Sequence, residues 1–386
     1  MPWHGVSPME LRQLFARAYV AGGLSMTELC EHYGISRKTG YKWTERFERQ
    51  GLEGLADQSR RPHHSPRMTE AAVLAALCDA RRHHPTWGAR KLLVRLRRRQ
   101  PTRPWPARST CCALLKAEGL VRTPRRRRRA HAPAAPLRPI THVNEVWTTD
   151  FKGEFRLGDR SYCYPLTLRD GLSRHVLRCD ALPAKSARLV RPCFERAFRE
   201  YGLPDRIRSD NGGPFAAPGL TRLSYLSVWW LRLGIQPERI ALGHPEQNGS
   251  HEQFHRVLKA ETARPPAAHL AAQQQRFRRF CREYNTERPH EALHDQPPAS
   301  VYTPSRRPFP ERIPALEYPG HWDVRRVAST GQVSWAGAPL YLTEVLGGED
   351  VAFEEVADDC WVLHFATIRL AQFDAHTRTL TPLPYA

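Results

Sequence analysis

The chain has 386 residues and a formal net charge of +20, with 59 Lys and Arg against 39 Asp and Glu. That length allows two to four domains, at least one with a sizeable core. Residues 1–140 hold 28 basic and 10 acidic residues, and the remainder holds 31 and 29. A basic front on a nearly neutral back points to a polyanion, most simply nucleic acid. No apolar run of about 18 residues, secretory h-region or lipidation signal stands out, so no membrane partner and a cytoplasmic location are expected. Nine scattered cysteines without a CxxC argue against a disulfide framework or zinc ribbon. The paired histidines at 63–64 and 83–84 lack a matching Cys pair and read as basic surface.

In chain order, residues 1–60 read as helices with short turns. "MELRQLFARAYVAGG" has helical apolar spacing and a Gly stop. In "SMTELCEHYGISRKTGYKWTERFERQG", Ser25 or Thr27 can cap a helix through Tyr33. Gly34 makes a turn and Ser36 caps a second helix, anchored by Tyr41, Trp43 and Phe47. A short helix, a Gly turn and a basic second helix make a helix-turn-helix pattern. Its recognition end would present Ser36, Arg37, Lys38, Thr39 and Lys42 to a major groove. Residues 61–121 read as a second helical DNA-binding unit, with helices broken at Pro85 and Gly88. Residues 122–141 form a basic Arg/Pro-rich linker. Its Arg125, Arg126, Arg127, Arg128 and Arg129 repel one another and suit nucleic acid or simply a solvated spacer.

From residue 142 to 303 the pattern changes to β–β–β–α–β–α–β–α, which implies a mixed sheet with helices against it. "EVWTTDFKG" alternates like a strand, and "RSYCYPLTLRDGLSRHVLRCDAL" reads as a hairpin around "RDGLS". Helix "SARLVRPCFERAFREYG", strand "DRIRS", helix "LSYLSVWWLRLG" and strand "IQPERI" follow. Residues 304–320 read as a Pro-rich linker, and 321–386 as short strands forming a small β-barrel or sandwich.

Asp150 and Asp210 each close a strand, and Glu252 opens the helix of "GHPEQNGSHEQFHRVLKAE". In that helix Glu252, His255, Arg256 and Lys259 share one face, with Phe254, Val257 and Leu258 on another. Taken alone, such a stripe suits a solvated surface helix. Three converging carboxylates would repel unless cations neutralise them, and Mg²⁺ takes hard oxygen ligands of that kind.

Here the residues carry a resemblance. "VWTTDFKG", "RSDNGGPF" and "GHPEQNGSHEQFHRVLK", in this order, resemble the three acidic motifs of the DDE integrase core, the ribonuclease-H-like domain of retroviral integrases and bacterial insertion-sequence transposases. The acids are 60 and 42 residues apart. The second gap exceeds the integrase spacing, and "TRLSYLSVWWLRLG" absorbs the excess. "YNTERPHEALHDQPPASVY" resembles the closing segment of that core. The zinc-binding His/His/Cys/Cys domain of retroviral integrases has no counterpart, and the helical front resembles bacterial transposases instead.

The resemblance implies Asp150, Asp210 and Glu252 as catalytic and metal-binding residues, with two Mg²⁺ ions for which Mn²⁺ can substitute. It implies Asn248, His255, Arg256 and Lys259 facing the phosphates of a DNA end. The implied activity is cleavage at transposon terminal inverted repeats and transfer of the 3′-OH strand into target DNA. The implied partners are those DNAs and further copies of the chain, as a dimer or tetramer, on the bacterial nucleoid. A non-catalytic DNA-binding regulator and a plain metal-dependent nuclease are the alternatives.

Overall fold

In the computed structural model, the described residues are 7–58, 68–121, 139–217, 219, 221–240 and 249–383. They divide into two compact units, with the boundary at Met68 and Thr69.

The first unit contains helices α1 (Pro8–Ala21), α2 (Met26–His32) and α3 (Arg37–Gln50). Ser7 and Ser25 open α1 and α2 through capping boxes with Glu10 and Glu28. Ser36 accepts from the Thr39 amide and opens α3. Ser25, rather than Thr27, is therefore the cap of α2. Gly34, at φ 62°, makes the turn between α2 and α3. Phe15, Leu29, Trp43 and Leu55 form the core. At Gly40 an added Cβ would stand 2.4 Å from Cys30 Sγ, so glycine lets α3 approach α2. Trp43 anchors α3 as expected, with Phe47 partly buried. Tyr41 does not: it is 53% exposed, because it lies on the face of α3 turned from that core.

The second unit opens with α4 (Ala71–His83), α5 (Ala89–Arg99) and α6 (Arg108–Ala117). They close on Leu77, Trp87, Leu92, Leu96, Cys111 and Leu115. This helical module belongs to the same compact unit as everything after it.

The central sheet contains β1 (Val146–Phe151), β2 (Phe155–Arg156), β3 (Tyr162–Asp170), β4 (Val176–Leu182), β5 (Arg206–Ser209) and β6 (Gln236–Arg239). β3 runs antiparallel to β1, β2 and β4, while β1, β5 and β6 run parallel to one another in that order. This is the expected mixed sheet. Asp170 locks the β3–β4 hairpin by accepting from Ser173 N and Oγ and from Asn144 N.

One face of the sheet packs under α7 (Ala187–Tyr201) and α8 (Tyr225–Arg232), through Trp147, Phe194, Phe198, Ile207 and Trp230. Packed with Cys163, Val176 and Cys179 of the sheet are α9 (Gly249–Thr262) and α10 (Leu270–Thr286), through Phe254, Leu258, Phe277 and Phe280. Helix α10 is an element that the pattern of the sequence did not disclose.

Residues 304–320 carry the prolines expected of a linker, yet they are stitched to the core. Ser305 N donates to Tyr201 O at 2.8 Å, and Leu203 N donates to Arg307 O at 2.7 Å. The Arg307 guanidinium donates to Pro204 O, Leu233 O and Gly234 O. Proline excludes a regular helix but leaves carbonyls and side chains free to pack.

The last region is β7 (Asp323–Arg326), β8 (Gln332–Trp335), β9 (Ala338–Tyr341), β10 (Asp350–Ala357), β11 (Cys360–Phe365), β12 (Ile368–Asp374) and β13 (Thr379–Pro382). It is an open five-stranded antiparallel sheet, β13-β12-β11-β10-β7, plus the β8–β9 hairpin. The expected barrel is not formed: among the described residues no pairing joins β7 to β13. The hairpin covers the sheet instead, with Trp335 on Phe353 and Phe373 at ring-centroid distances of 4.7 and 5.0 Å. Val228 and Leu231 of α8 join the same core, so the apolar face is buried without closure.

Candidate active site

Asp150 and Asp210 leave two neighbouring parallel strands. The β1–β5 register pairs Val146 with Arg206, Trp147 with Ile207 and Thr148 with Arg208, an offset of 60. The same offset separates Asp150 from Asp210, so both carboxylates emerge side by side at the carboxyl ends of β1 and β5. That is where open α/β sheets place their ligands. Glu252, in the first turn of α9, is exposed.

The electrostatics agree with this convergence. Burial, then the Asp210 carboxylate, with Glu252 adding to them, pushes Asp150 up to about 7. Burial also raises Asp210, although the Gly212 amide and Lys185 partly offset it. The loop after β5 closes tightly on this carboxylate: a Cβ on Gly212 would stand 3.1 Å from Asp210 Oδ2. Asp210 Oδ1 is buried and has no hydrogen-bond partner. An orphaned carboxylate oxygen beside a second strained carboxylate is a hard-donor pair that suits a divalent cation. Among the described residues, no group of three or more His, Cys, Asp or Glu side chains is arranged to hold a metal ion.

Helix α9 is pinned over these strands by a buried polar network. Thr167, paired with Asp150 in the β1–β3 register, donates its hydroxyl to Asp150 O at 2.9 Å. Its Oγ1 also lies 2.6 Å from His251 Nε2 and 2.7 Å from His255 Nε2. A hydroxyl has one proton, so both imidazoles must donate to it through Nε2. His251 Nδ1 is then free to accept from Thr148 Oγ1, 2.9 Å away. His255 Nδ1 stands 3.6 Å from Asp150 Oδ2, too far for a hydrogen bond. Burial, with Lys152 and Arg169 nearby, lowers His255 to about 3, so it is neutral and gives Asp150 no counter-charge.

This placement removes His255 from the set expected to face DNA. Its side chain is only 7% exposed and points under Asp150, because α9 rolls its His251, Phe254, His255 and Leu258 face into the sheet. Arg256 is exposed and Lys259 half-buried, on the flank that carries Glu252. In the first unit Ser36, Arg37, Lys38 and Lys42 are exposed, and Thr39 is half-buried. Ser36 and Thr39 are engaged with each other, their hydroxyls 2.9 Å apart. Asn248 and Arg125, Arg126, Arg127, Arg128 and Arg129 lie outside the described residues.

Sequence reading missed Lys152, Lys185, His251, Thr148 and Thr167. Burial and Lys259 both lower the Lys152 ammonium, so these two lysines stand near each other beside Asp150. Lys185 sits 3.7 Å from Glu154 and bears on Asp210. The short phrase "DFKG" held the only hint of Lys152, two residues beyond the acid. Nothing local marked Thr167, which reaches the site through strand pairing.

Sequence families match both the helical front and the central sheet. The family described as Integrase core domain matches residues 140–245, and a second family of the same description matches residues 233–298. A Helix-turn-helix domain family matches residues 11–63, and a Homeodomain-like domain family matches residues 39–115. The chain is 29% identical over 155 residues to the Insertion element IS407 uncharacterized 31.7 kDa protein of Burkholderia multivorans, across 39% of this chain and 52% of that protein. The chain thus spans about half the length of that curated relative.

Among solved structures, the simian T-cell lymphotropic virus intasome in complex with PP2A regulatory subunit B56 gamma overlaps 68% of this chain and 90% of that one, at 15% identity and a TM-score of 0.38. The HTLV-2 integrase catalytic core domain in complex with magnesium overlaps 42% and 98%, at 14% identity and a TM-score of 0.30. At such scores these overlaps carry no functional weight. The sequence families and the curated relative make this chain similar to proteins with an integrase core domain and to a protein of a bacterial insertion element. In particular, it is similar to the protein of that Burkholderia element.

Proposed function

We propose that this chain is a DNA transposase that binds the terminal inverted repeats of a transposon, cleaves at the ends and transfers the 3′-OH strand into target DNA. The observation that carries this reading is the shared offset of 60, which sets Asp150 beside Asp210 on parallel strands. Glu252 bears on the same charge from α9.

Asp150, Asp210 and Glu252 would hold two Mg²⁺ ions, or Mn²⁺ in their place. When bound, the ions supply Lewis acidity at the phosphate and neutralise the carboxylates. The protein then has two tasks. Lys259 and Lys152 hold the phosphate next to the scissile one as point charges. His251 and His255, through Thr148 and Thr167, keep α9 seated on the strands that carry the two aspartates. No Ser, Tyr or Cys nucleophile is required, because the attacking oxygen comes from water in cleavage and from the DNA 3′-OH in joining.

Arg37, Lys38 and Lys42 read the end DNA from α3. Two ends must be held for paired joining, and one core has one acidic site, so a symmetric dimer or tetramer on DNA is expected. The work takes place on nucleoid DNA in the bacterial cytoplasm. Among the described residues no helix is long and apolar enough to cross a membrane.

The test is Mg²⁺-dependent cleavage and joining of a labelled end. Asp150→Asn, Asp210→Asn and Glu252→Gln are each expected to abolish both steps and to leave end binding intact. Near-normal joining by any one of them rejects that residue. Cleavage by the wild type without joining would leave a nuclease.

A further inference from the structure

The opposite flank of α9 borders a cavity of about 450 Å³. Its walls come from α5 (Lys91), the end of β3 (Arg169), the hairpin beyond it (Arg174), α9, and the segment after α10 (Arg288, His290). Four cationic side chains therefore face one space. The carboxylate on its wall, Glu291, is already paired with Arg90.

Arg169 is the residue that demands an explanation. It is 2% exposed, and no carboxylate lies within ion-pair distance of it among the described residues. Its Nη1 donates to Ser250 O at 3.0 Å, and its guanidinium lies 4.7 Å from the Phe254 ring centroid. Its Nε has no hydrogen-bond partner among the described residues. A buried charge without a counter-charge is costly.

Two neighbouring cations deepen the imbalance, and a neutral imidazole, His290, lies beside them. Among the described residues Arg174 bonds Ser250 Oγ and no carboxylate. Lys91 has no ion-pair partner among the described residues, and burial together with Arg288 lowers it to about 8. His290 Nε2 is buried and unpartnered. Arg288 alone is matched, by Glu261 at 2.9 Å. Unmatched guanidinium, ammonium and imidazole donors around an open space make an oxyanion receptor. The volume falls within the range of small-ligand sites and admits a phosphate with its sugar.

We propose that this cavity is a phosphate-binding site that seats one phosphodiester of the DNA strand, on the flank of α9 opposite Glu252. The DNA source rests on the function proposed above, whereas the oxyanion chemistry does not. A phosphate there completes the charge of Arg169 and ties the α4–α6 module, the core and the bound strand together.

The experiment has two arms, both on the full chain. Lys91→Gln and Arg174→Gln are used because both side chains are partly exposed and neither makes an ion pair among the described residues. In the first arm, thermal unfolding is followed with inorganic phosphate against chloride at matched ionic strength. The wild type is expected to gain stability with phosphate. The two variants are expected to lose most of that gain, and Arg312→Gln, on exposed chain elsewhere, to keep it. In the second arm, end DNA carries a single neutral methylphosphonate walked along each strand. One position is expected to weaken wild-type binding and to cost Lys91→Gln nothing further, and that variant should show a salt slope smaller by about one counterion.

No phosphate response and no coupled position would overturn the site. A phosphate response without a coupled position, while the DNA binds normally, would overturn the DNA source and leave a site for a free phosphorylated ligand. Failure of the wild type to bind end DNA would strike the proposed function, and the first arm would still judge the cavity.

Discussion

The two helical regions at the front both read as basic DNA-binding modules in sequence, and they differ in what their charge does. In the first, Arg37, Lys38 and Lys42 at the start of α3 are exposed and make no ion pair among the described residues. In the second, most basic side chains of helix α5, Lys91 excepted, are spent on the core. Arg90 pairs with Asp295 at 3.1 Å, Arg95 with Glu287 at 3.0 Å, and Arg98 donates to Asp295 O at 2.7 Å. His84, just before α5, meets Glu283 at 2.8 Å. A basic helix is a DNA-facing surface only where no acidic partner has claimed it. The strongly positive front half therefore overstates the charge available to a polyanion.

The largest effect expected from this contrast is on end binding. Arg37→Ala with Lys38→Ala should weaken binding of terminal-repeat DNA by about a hundredfold, as two lost contacts of base or phosphate type imply. Arg95→Ala should leave that affinity within a few-fold. Fluorescence anisotropy at fixed salt measures both. Equal losses in the two variants would break the distinction between α3 and α5.

The acidic site inverts the situation of α5, because its charges face one another unmatched. Asp150 sits near 7 in the fold against an ordinary 3.8. Between those values the folded carboxyl keeps its proton while the unfolded one loses it. Stability of the metal-free protein therefore falls as pH rises through that window, by on the order of 1.4 kcal/mol per unit. Asp150→Asn removes this dependence. In chelator the variant should unfold at nearly the wild-type temperature at pH 4 and at a higher temperature at pH 8. A wild type whose lead over the variant widens with pH would show that Asp150 is not held protonated.

Legibility followed locality. The cap at Ser36 and the apolar periodicities read directly, since each depends on residues a few positions away, whereas the cap of α2 stayed open between Ser25 and Thr27 and Ser7 went unread. The three acids read as the ends of elements, and the approach of Asp150 to Asp210 follows from the β1–β5 pairing, which joins residues 60 positions apart and is silent in the local pattern. His255 misled because helical spacing fixes which residues share a face and not which way that face turns. The roll of α9 is set by Phe254 and Leu258 packing near α10. Residues 304–320 misled because proline content describes local conformation and is silent about packing. The cavity of Arg169 joins residues from position 91 to position 290, so no local pattern carried it.

The smallest effect sharpens the contrast most. Arg95 is 14% exposed and Glu287 40% exposed, on elements 192 positions apart in sequence. A partly exposed pair of this kind contributes about 0.2–1 kcal/mol. Charge reversal at one partner adds repulsion to that loss, so Arg95→Glu and Glu287→Arg should each lower the unfolding midpoint by a few degrees. If the contact is what holds α5 to the core, the double variant should recover part of the loss, because the opposite charges meet again. The interaction energy from that cycle, rather than either single change, reports the pair. Additive losses would mean that Arg95 stabilises α5 through its packed stem and that its charge is free, as in α3. End binding should stay flat across all three variants. A variant that gained DNA affinity as α5 was released would show that docking on the core masks a DNA-binding surface.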